Sequence, residues 1–176
     1  MLTKRLTRRE LSLGAAALAL TACAKTGTAA EASSVTKEAN VSQTPQNIDW
    51  ASLSEQDWKA RLTEMEFHVL RKEGTERPWT SPLNENKARG TYACAGCGLP
   101  LFTSDMKYDS GTGWPSFFNV IDGAVGTKVD NKLFAQRTEY HCSRCGGHQG
   151  HVFTDGPQPT GLRYCNNGVA LDFIEG

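Results

Sequence analysis

Hydrophobic residues follow two different periods along the chain, and the change between them falls near Gly90. Before this point, Ser54 is a suitable helix N-cap and Gly74 is a suitable stop signal. Between the two, apolar side chains recur at the three- to four-residue spacing of one helix face, namely Trp58, Leu62, Met65 and Val69. The pattern predicts one long N-terminal helix whose apolar face packs into the core.

After Gly90 the apolar residues come in short runs that are separated by turn-forming residues. Asp122-Gly123 and Asp130-Asn131 are typical turn pairs, and Asp155-Gly156-Pro157 is closely followed by Pro159-Thr160-Gly161. The runs predict strands at residues 91–93, 117–120, 125–129, 133–141, 151–154, 162–165 and 170–174. The sequence therefore predicts a mainly antiparallel β domain that follows one helix.

Residues 1–24 have the features of an export signal, so they are not expected to belong to the folded domain. A basic segment ends in Thr7-Arg8-Arg9-Glu10-Leu11, which resembles a twin-arginine motif that lacks the usual Phe and Lys. The apolar run from Leu11 to Ala22 is shorter than the roughly 20 residues that a membrane-spanning helix needs. The pattern predicts export by the twin-arginine route.

The signal closes with Leu20-Thr21-Ala22-Cys23, which resembles a bacterial lipobox, the motif whose cysteine is lipidated and becomes the new N-terminus. Ala22-Cys23-Ala24 is an alternative cleavage site of the Ala-x-Ala type, and its use would give a soluble product. We expect an exported protein of the bacterial periplasm or cell envelope, with a lipid anchor to a membrane at Cys23.

Residues 25–50 contain mostly small and polar residues, which cannot bury a core, so they predict a flexible tether before a folded domain at 51–176. Without residues 1–22 the chain carries 15 Lys and Arg against 18 Asp and Glu. Nucleic acid and anionic membrane surfaces both attract a basic stripe. The charge balance therefore excludes them as the main partner of the domain.

Two Cys-x-x-Cys pairs, Cys94 with Cys97 and Cys142 with Cys145, are the strongest chemical signal in the sequence. Four thiolates on two tight turns are typical of a structural zinc site, which leaves no open coordination position. The alternatives are two redox dithiols or two structural disulfides in an oxidising compartment. A redox Cys-x-x-Cys usually belongs to a βαβ pattern, which the sequence lacks, so we predict zinc.

Cys165 stands outside both pairs and is the candidate nucleophile. Residues two apart on a strand share a face, so Arg163, Cys165 and Asn167 are predicted to point into one pocket. A guanidinium and amide donors favour the reactive thiolate form. His148 and His151, just upstream, can supply protons. The alternative interpretation is that Cys165 is a buried and inert small hydrophobic residue.

Five motifs extend in order over about residues 53–176: Gly74-Thr75-Glu76-Arg77-Pro78, Tyr108-Asp109-Ser110-Gly111-Thr112-Gly113-Trp114-Pro115-Ser116-Phe117, His148-x-Gly-His151-Val152-Phe153, Asp155-Gly156-Pro157 and Arg163-Tyr164-Cys165-x-Asn167. Together they resemble the methionine-R-sulfoxide reductases, and both cysteine pairs fit the zinc-binding branch of that family. The resemblance implies two antiparallel sheets that meet at an angle, a fold sometimes called a β-tent, with an N-terminal helix and a structural four-cysteine zinc site.

The resemblance also implies a catalytic role for each residue near Cys165. Cys165 matches the nucleophile that attacks the sulfoxide sulfur and becomes a sulfenic acid as methionine leaves. His148 and His151 match the residues that bind and protonate the sulfoxide oxygen. Arg163 and Asn167 match the groups that hold the thiolate.

Two aromatic residues match the substrate pocket of the family. Trp114 matches the wall that receives the substrate methyl group, and Phe153 would complete the apolar side, although both residue types are also common in cores. The implied substrates are oxidised proteins that carry the R sulfoxide. The implied electron donor is a thioredoxin-like protein or another thiol, and no organic cofactor is expected.

The sequence departs from the family at two positions. Gln149 replaces a common leucine, and we interpret this as a small change near the pocket. Thr112 occupies the place where many members carry a second, resolving cysteine, so we predict a one-cysteine cycle in which an external thiol restores Cys165. The alternative function is a non-catalytic, zinc-stabilised binding module of the same fold.

Overall fold

Two short helices precede the sheets in the computed structural model, which describes residues 48–132 and 135–176. Helix α1 spans Glu55–Arg61 and helix α2 spans Glu64–Lys72. All the described residues belong to one compact unit that runs from Thr44 to Gly176. The predicted export signal with Cys23 and almost all of the predicted tether lie outside the described residues, so those predictions stay predictions.

The prediction of one long helix is wrong, because a second capping motif interrupts it. Thr63 accepts a hydrogen bond from the Glu66 N–H at 3.3 Å, and the Glu66 carboxylate accepts one from the Thr63 N–H at 2.7 Å. This capping box starts a new helix and leaves Leu62 extended. The restart also rotates the apolar face, so Phe67 becomes buried whereas Met65, a predicted core residue, is 48% exposed.

Nine strands are found in the described part of the chain, and they form two antiparallel sheets. The smaller sheet has the order β2-β1-β9 and the larger has the order β3-β4-β8-β7-β6-β5. The strands are β1 Gly90–Cys94, β2 Pro100–Thr103, β3 Lys107–Tyr108, β4 Ser116–Phe117, β5 Val125–Asp130, β6 Arg137–Cys142, β7 His148–Phe153, β8 Arg163–Asn166 and β9 Leu171–Glu175. The predicted fold class, mainly β with two antiparallel sheets, is confirmed.

The strands differ from the prediction in several places. The strand predicted at 117–120 shares only Phe117 with the two-residue strand β4. The strand predicted at 133–141 begins only at Arg137. Strand β2, Pro100–Thr103, and the two-residue strand β3 were not predicted, because both are too short to show an alternating pattern. Strand β7 begins three residues before the predicted 151, so it includes His148. The last change matters for the active site, because both candidate histidines now lie on one strand.

The hydrophobic core lies between the two sheets and is dominated by aromatic rings. Phe102 of β2 stacks on Phe117 of β4 with 4.0 Å between ring centroids, and Tyr92 of β1 meets Phe117 at 5.0 Å. All three side chains are fully buried. Deleting such a ring costs about 3–5 kcal/mol in typical cores. This packing holds the larger sheet, which carries the candidate active site, firmly against the smaller one.

Among residues 48–132 and 135–176, no helix has both the length and the apolar character needed to cross a membrane.

Candidate active site and metal centre

Cys165 lies on β8, and the register of the larger sheet places it between two informative neighbours. It is paired with His151 on the neighbouring strand β7 and with Ser116 on the neighbouring strand β4. A Cβ atom at Gly150 would lie 1.9 Å from the Cys165 carbonyl oxygen, so the close approach of β7 to β8 requires glycine there. The backbone therefore brings one of the predicted histidines directly beside the predicted nucleophile.

Cys165 opens into a solvent-accessible cleft with a volume of about 130 Å³. This volume is smaller than the roughly 300–1,000 Å³ of sites for drug-sized ligands, so the cleft suits a small chemical group. The predicted residues that line the cleft are Trp114, His151, Phe153, Cys165 and Asn167. The lining residues that were not predicted are Thr75, Arg137, Gly150 and Asn166. His148 and Arg163, which were predicted to act there, do not line the cleft.

His151 is oriented by a carboxylate at the edge of the cleft. Its Nε2 atom lies 2.7 Å from Asp130 Oδ2, and Arg137 Nη2 contacts the same oxygen at 2.7 Å. The pKa of the Asp130 carboxyl is well below its usual range, because the carboxylate accepts hydrogen bonds from the Lys132 N–H and from His151 and lies beside the Arg137 charge. Asp130 is therefore ionised at neutral pH, fixes the imidazole ring and leaves Nδ1 outside this contact.

His148 reaches the neighbourhood of His151 because β7 contains a bulge. Strand β6 pairs Tyr140 with Gly150 but His141 with His148, so Gln149 is an extra residue on β7. Residues three apart on a regular strand point to opposite faces. With the bulge, the two histidine rings lie 5.5 Å apart between centroids.

The surroundings of His148 suit a supporting residue better than a proton donor. The ring is 3% exposed, and burial lowers its pKa. Its Nδ1 atom approaches Glu139 Oε1 to 2.9 Å without the alignment of a hydrogen bond. Glu139 is also buried and contacts the exposed Lys128 at 3.1 Å. A neutral His148 thus packs against His151 and approaches a buried carboxylate.

Arg163 makes a double hydrogen bond rather than pointing into the cleft. Its Nε and Nη2 atoms each donate to the Asp155 carboxylate at 2.8 Å, and its guanidinium carbon lies 4.2 Å from the centroid of the Phe153 ring. The pair lowers the pKa of Asp155 and raises that of Arg163. Arg163 therefore acts on Cys165 through its charge and steadies Phe153 through its planar group.

The thiol of Cys165 is less acidic than the sequence suggested. Burial raises the pKa of the Cys165 thiol, and the positive charge of Arg163 and the polar hydroxyl of Thr112 only partly oppose this effect. Thr112 in turn contacts Ser110 at 2.8 Å, and Ser110 contacts Ser116 at 2.7 Å. Ser110 therefore connects the hydroxyl groups of Thr112 and Ser116 into a chain. The sequence revealed the charged neighbour but not the burial.

A buried segment before the sheets connects the aromatic wall to Asn167. The Trp114 indole N–H donates to the Glu76 carbonyl at 3.1 Å, and the Glu76 N–H donates to Asn167 Oδ1 at 3.0 Å. Asn167 Nδ2 donates to the Gln149 carbonyl at 3.0 Å, and the Glu76 carboxylate accepts from the Val169 N–H at 3.2 Å. Glu76 and Gln149 therefore position residues of the cleft, a role that their sequence gave no sign of.

The four paired cysteines converge at one point of the fold. Cys94 ends β1 and Cys97 lies in the turn after it, while Cys142 ends β6 and Cys145 lies in the turn after that strand. The Sγ atoms of Cys94 and Cys145 lie 3.7 Å apart, those of Cys97 and Cys142 lie 3.5 Å apart, and all four fall within 4.8 Å. A tetrahedral zinc with bonds of about 2.3 Å spaces its sulfurs by roughly 3.8 Å. The four thiols therefore fit a zinc ion, and all the described cysteines are free of disulfides.

Neighbouring side chains complete the surroundings of this cluster. Arg71 donates to the Cys145 carbonyl at 2.9 Å, and Arg144 donates to the Cys97 carbonyl at 3.2 Å. Gln149 Nε2 donates to Cys94 Sγ at 3.3 Å. Gln149 was interpreted as a small change near the pocket, and its fully buried side chain also contacts the cluster.

Comparison with known proteins agrees with the geometry. Residues 62–175 match the model of the family described as the SelR domain. The chain is 57% identical over 123 residues to a protein named peptide methionine sulfoxide reductase MsrB from Methanosarcina mazei, which covers 69% of this chain and 88% of the relative. It is 53% identical over 121 residues to the protein of the same name from Leptospira interrogans, covering 68% of this chain and 92% of the relative.

A plant protein shows the same similarity. The chain is 48% identical over 140 residues to a protein named peptide methionine sulfoxide reductase B1, chloroplastic, from Arabidopsis thaliana. The match covers 79% of this chain and 69% of the relative.

Proposed function

The chain belongs to the SelR family of peptide methionine sulfoxide reductases, and we propose that it reduces the R diastereomer of methionine sulfoxide in oxidised proteins. The observation that carries the proposal is the Cys165 thiol in an open cleft between Trp114 and His151. A sulfoxide needs an apolar slot for its methyl group, a proton donor for its oxygen and a soft nucleophile for its sulfur. The cleft offers all three.

In the proposed reaction the oxygen atom moves from the substrate sulfur to the Cys165 sulfur. Cys165 loses its proton and attacks the sulfoxide sulfur, while His151 delivers a proton to the sulfoxide oxygen. The attack joins the two sulfurs. The hydroxyl then moves to the Cys165 sulfur as both the substrate sulfur–oxygen bond and the new sulfur–sulfur bond break, so methionine leaves as a thioether and Cys165 becomes a sulfenic acid. The substrate gains two electrons and Cys165 loses them, so the step balances without any other reactant.

Three contacts to the sulfoxide select one hand of the sulfur. Trp114 and Phe153 form the apolar side that receives the methyl group, and His151 binds the oxygen. Cys165 approaches the sulfur from the remaining side. Exchanging the methyl group and the oxygen would place a polar atom against the indole and an apolar group against the imidazole. This arrangement supports preference for a single diastereomer.

The other predicted residues have supporting roles in this proposal. Arg163 stabilises the thiolate by charge, and Asn167 holds the end of β8 in place from the edge of the cleft. His148 packs against His151 and limits how its ring can turn. We assign proton delivery to His151 rather than His148, because only His151 of the two lines the cleft.

The sulfenic acid is then reduced by an external thiol. A first thiol attacks Cys165, releases water and forms a mixed disulfide, and a second thiol releases Cys165 and leaves as a disulfide. Four of the five described cysteines belong to the metal cluster, and Thr112 stands where a resolving thiol would lie. The open cleft supports direct attack by a thioredoxin-like protein or a small thiol.

Zinc held by Cys94, Cys97, Cys142 and Cys145 has a structural role in this proposal. The cluster ties the turn after β1, in the smaller sheet, to the turn after β6, in the larger sheet. Bound zinc stabilises the folded state because the unfolded chain does not assemble the four ligands. Since four thiolates fill the coordination of zinc, no position remains for substrate.

Export to the periplasm or cell envelope and a lipid anchor at Cys23 are proposals that rest on sequence alone. Export of folded protein by the twin-arginine route would allow zinc to be loaded in the reducing cytoplasm. We expect that replacing Arg8 and Arg9 by Lys leaves zinc-loaded enzyme in the cytoplasm. Unchanged export would instead indicate the general secretory route, and a mature protein that begins at Lys25 without lipid would contradict the anchor.

A single-turnover experiment tests the proposed function directly. Mixed with excess methionine sulfoxide and no reductant, the enzyme should form one methionine per chain, and a dimedone-type probe should label Cys165. A non-catalytic binding module would form no methionine, and Cys165 would stay unlabelled. A sulfenic acid found on any other cysteine would contradict the assignment of the nucleophile.

A further inference from the structure

The fully buried Gln149 is the residue that connects the metal cluster to the active site. Its side-chain Nε2 donates to Cys94 Sγ at 3.3 Å, and its side-chain Oε1 accepts from Asn166 Nδ2 at 3.4 Å. Its main-chain carbonyl accepts from both the N–H and the Nδ2 of Asn167, at 2.9 and 3.0 Å. Asn166 and Asn167 both line the substrate cleft. One residue therefore contacts a metal ligand and two cleft residues.

The position of Gln149 in the strand makes this connection possible. It is the extra residue of the β7 bulge, so its side chain leaves the cleft side while His148 and His151 converge near each other. The shape of the bulge thus determines where His151 stands relative to Cys165. Any force on the Gln149 side chain acts directly on that bulge.

The chemistry of the contact gives the Gln149 side chain a reason to remain at the cluster. Four thiolates around one zinc ion carry a net negative charge in a place where Cys94 and Cys142 are fully buried. A hydrogen bond from an N–H group to a charged metal ligand is stronger than one between neutral groups. Residues that form such bonds to metal ligands also orient those ligands. Among residues 48–132 and 135–176, Gln149 is the one side-chain N–H donor to a sulfur of the cluster.

We propose that Gln149 is a positioning residue that couples the zinc centre to the substrate cleft. This proposal rests on the proposed zinc site and reductase function. Zinc binding holds Cys94, Cys94 holds the Gln149 amide, and the Gln149 bulge holds His151 and Asn167 in place for reaction with Cys165. Coupling between two sites is reciprocal. A ligand in the cleft should therefore tighten the binding of zinc, and we expect this to be seen as slower release.

The test compares zinc release from two matched proteins in the Cys165→Ser background, which prevents turnover. One keeps Gln149 and the other carries Gln149→Leu, which removes the amide but suits a buried site. Release to an excess of a chromogenic chelator is timed with and without N-acetyl-methionine-R-sulfoxide amide. Exposed Gln158→Leu is the control for a general effect of replacing an amide.

We expect Gln149→Leu to release zinc about tenfold faster, in the range found for outer partners of metal ligands. The sulfoxide should slow release several-fold when Gln149 is present and should have little effect in Gln149→Leu. Gln158→Leu should behave like the parent. Equal effects of the sulfoxide in the parent and in Gln149→Leu would overturn the coupling, as would unchanged release rates.

An unmodified protein gives a second test that does not depend on the folding of a variant. With ¹¹³Cd in place of zinc, the Gln149 side-chain amide protons should show a scalar coupling to cadmium through the Cys94 sulfur. Absence of that coupling would overturn the hydrogen bond. If the protein binds no metal but still reduces the R sulfoxide, this inference is overturned and the proposed function stands. If the protein binds zinc but has no reductase activity, the proposed function is contradicted instead.

Discussion

The hydroxyl group of Thr112 offers a quantitative test of how the active site controls its thiol. Burial raises the pKa of the Cys165 thiol, and the Thr112 hydroxyl is one of the groups that oppose this effect. A hydrogen bond to a charged group is worth about 1.5–3 kcal/mol. Since about 1.4 kcal/mol corresponds to one pKa unit, Thr112→Val should raise the pKa of Cys165 by about one unit.

The consequence is about tenfold less thiolate at pH 7 and a similar loss in the rate of sulfoxide reduction. The assay is the pH dependence of Cys165 alkylation by iodoacetamide, followed by mass spectrometry, with Cys165→Ser as the blank. In the parent the alkylation rate should rise with pH until it passes the raised pKa, and in Thr112→Val this midpoint should move higher. Thr112→Ser keeps the hydroxyl and should stay close to the parent.

An unchanged midpoint in Thr112→Val would mean that the hydroxyl does not stabilise the thiolate. A shift that Thr112→Ser shows to the same extent would also contradict stabilisation by the hydroxyl, since that shift would reflect packing. The Ser110 contact at 2.8 Å fixes the threonine hydroxyl, so Ser110→Ala should give a smaller shift in the same direction.

Three further predictions concern recycling, metal and stability. Thr112→Cys should form a disulfide with Cys165 after one turnover and improve recycling by a dithiol protein; if mass spectrometry instead finds Cys165 bonded to a cysteine of the cluster, both the scheme and the zinc assignment weaken. Cys142→Ser should lose its metal and the cooperative unfolding transition seen by circular dichroism, and a fully folded, metal-free protein would contradict the structural role of zinc. Tyr140→Phe removes the 2.6 Å donor of the buried Asn166 Oδ1 and should lower the free energy of unfolding by about 1–3 kcal/mol in urea titrations, whereas a change of zero would mean that the amide finds another partner.

Much of the fold could be predicted because local chemistry determines it. The two cysteine pairs predicted the cluster, and short apolar runs between turn residues predicted most strands. The break between α1 and α2 was also present in the sequence, since Thr63 and Glu66 stand at the spacing of a capping box. The apolar stripe across the break concealed it, because Trp58 of α1, Leu62 between the helices and Val69 of α2 are all buried.

The parts of the site that were not predictable depend on contacts between distant segments. Asp130 and Arg137 come from neighbouring strands, and no local pattern indicates that they converge on His151. The bulge at Gln149 follows from pairing with β6 and reverses the expected direction of that side chain. Burial of Cys165, which decides the direction of its pKa shift, is likewise a property of the assembled sheet.

Reduction of the R sulfoxide by Cys165 is tested by the consumption of separated methionine sulfoxide diastereomers in peptides, with dithiothreitol as the reductant and chromatography as the readout. The wild-type protein should consume the R form and leave the S form almost untouched, and Cys165→Ser should have no activity. Consumption of the S form at a comparable rate, or of the R form by Cys165→Ser, would contradict the proposed function.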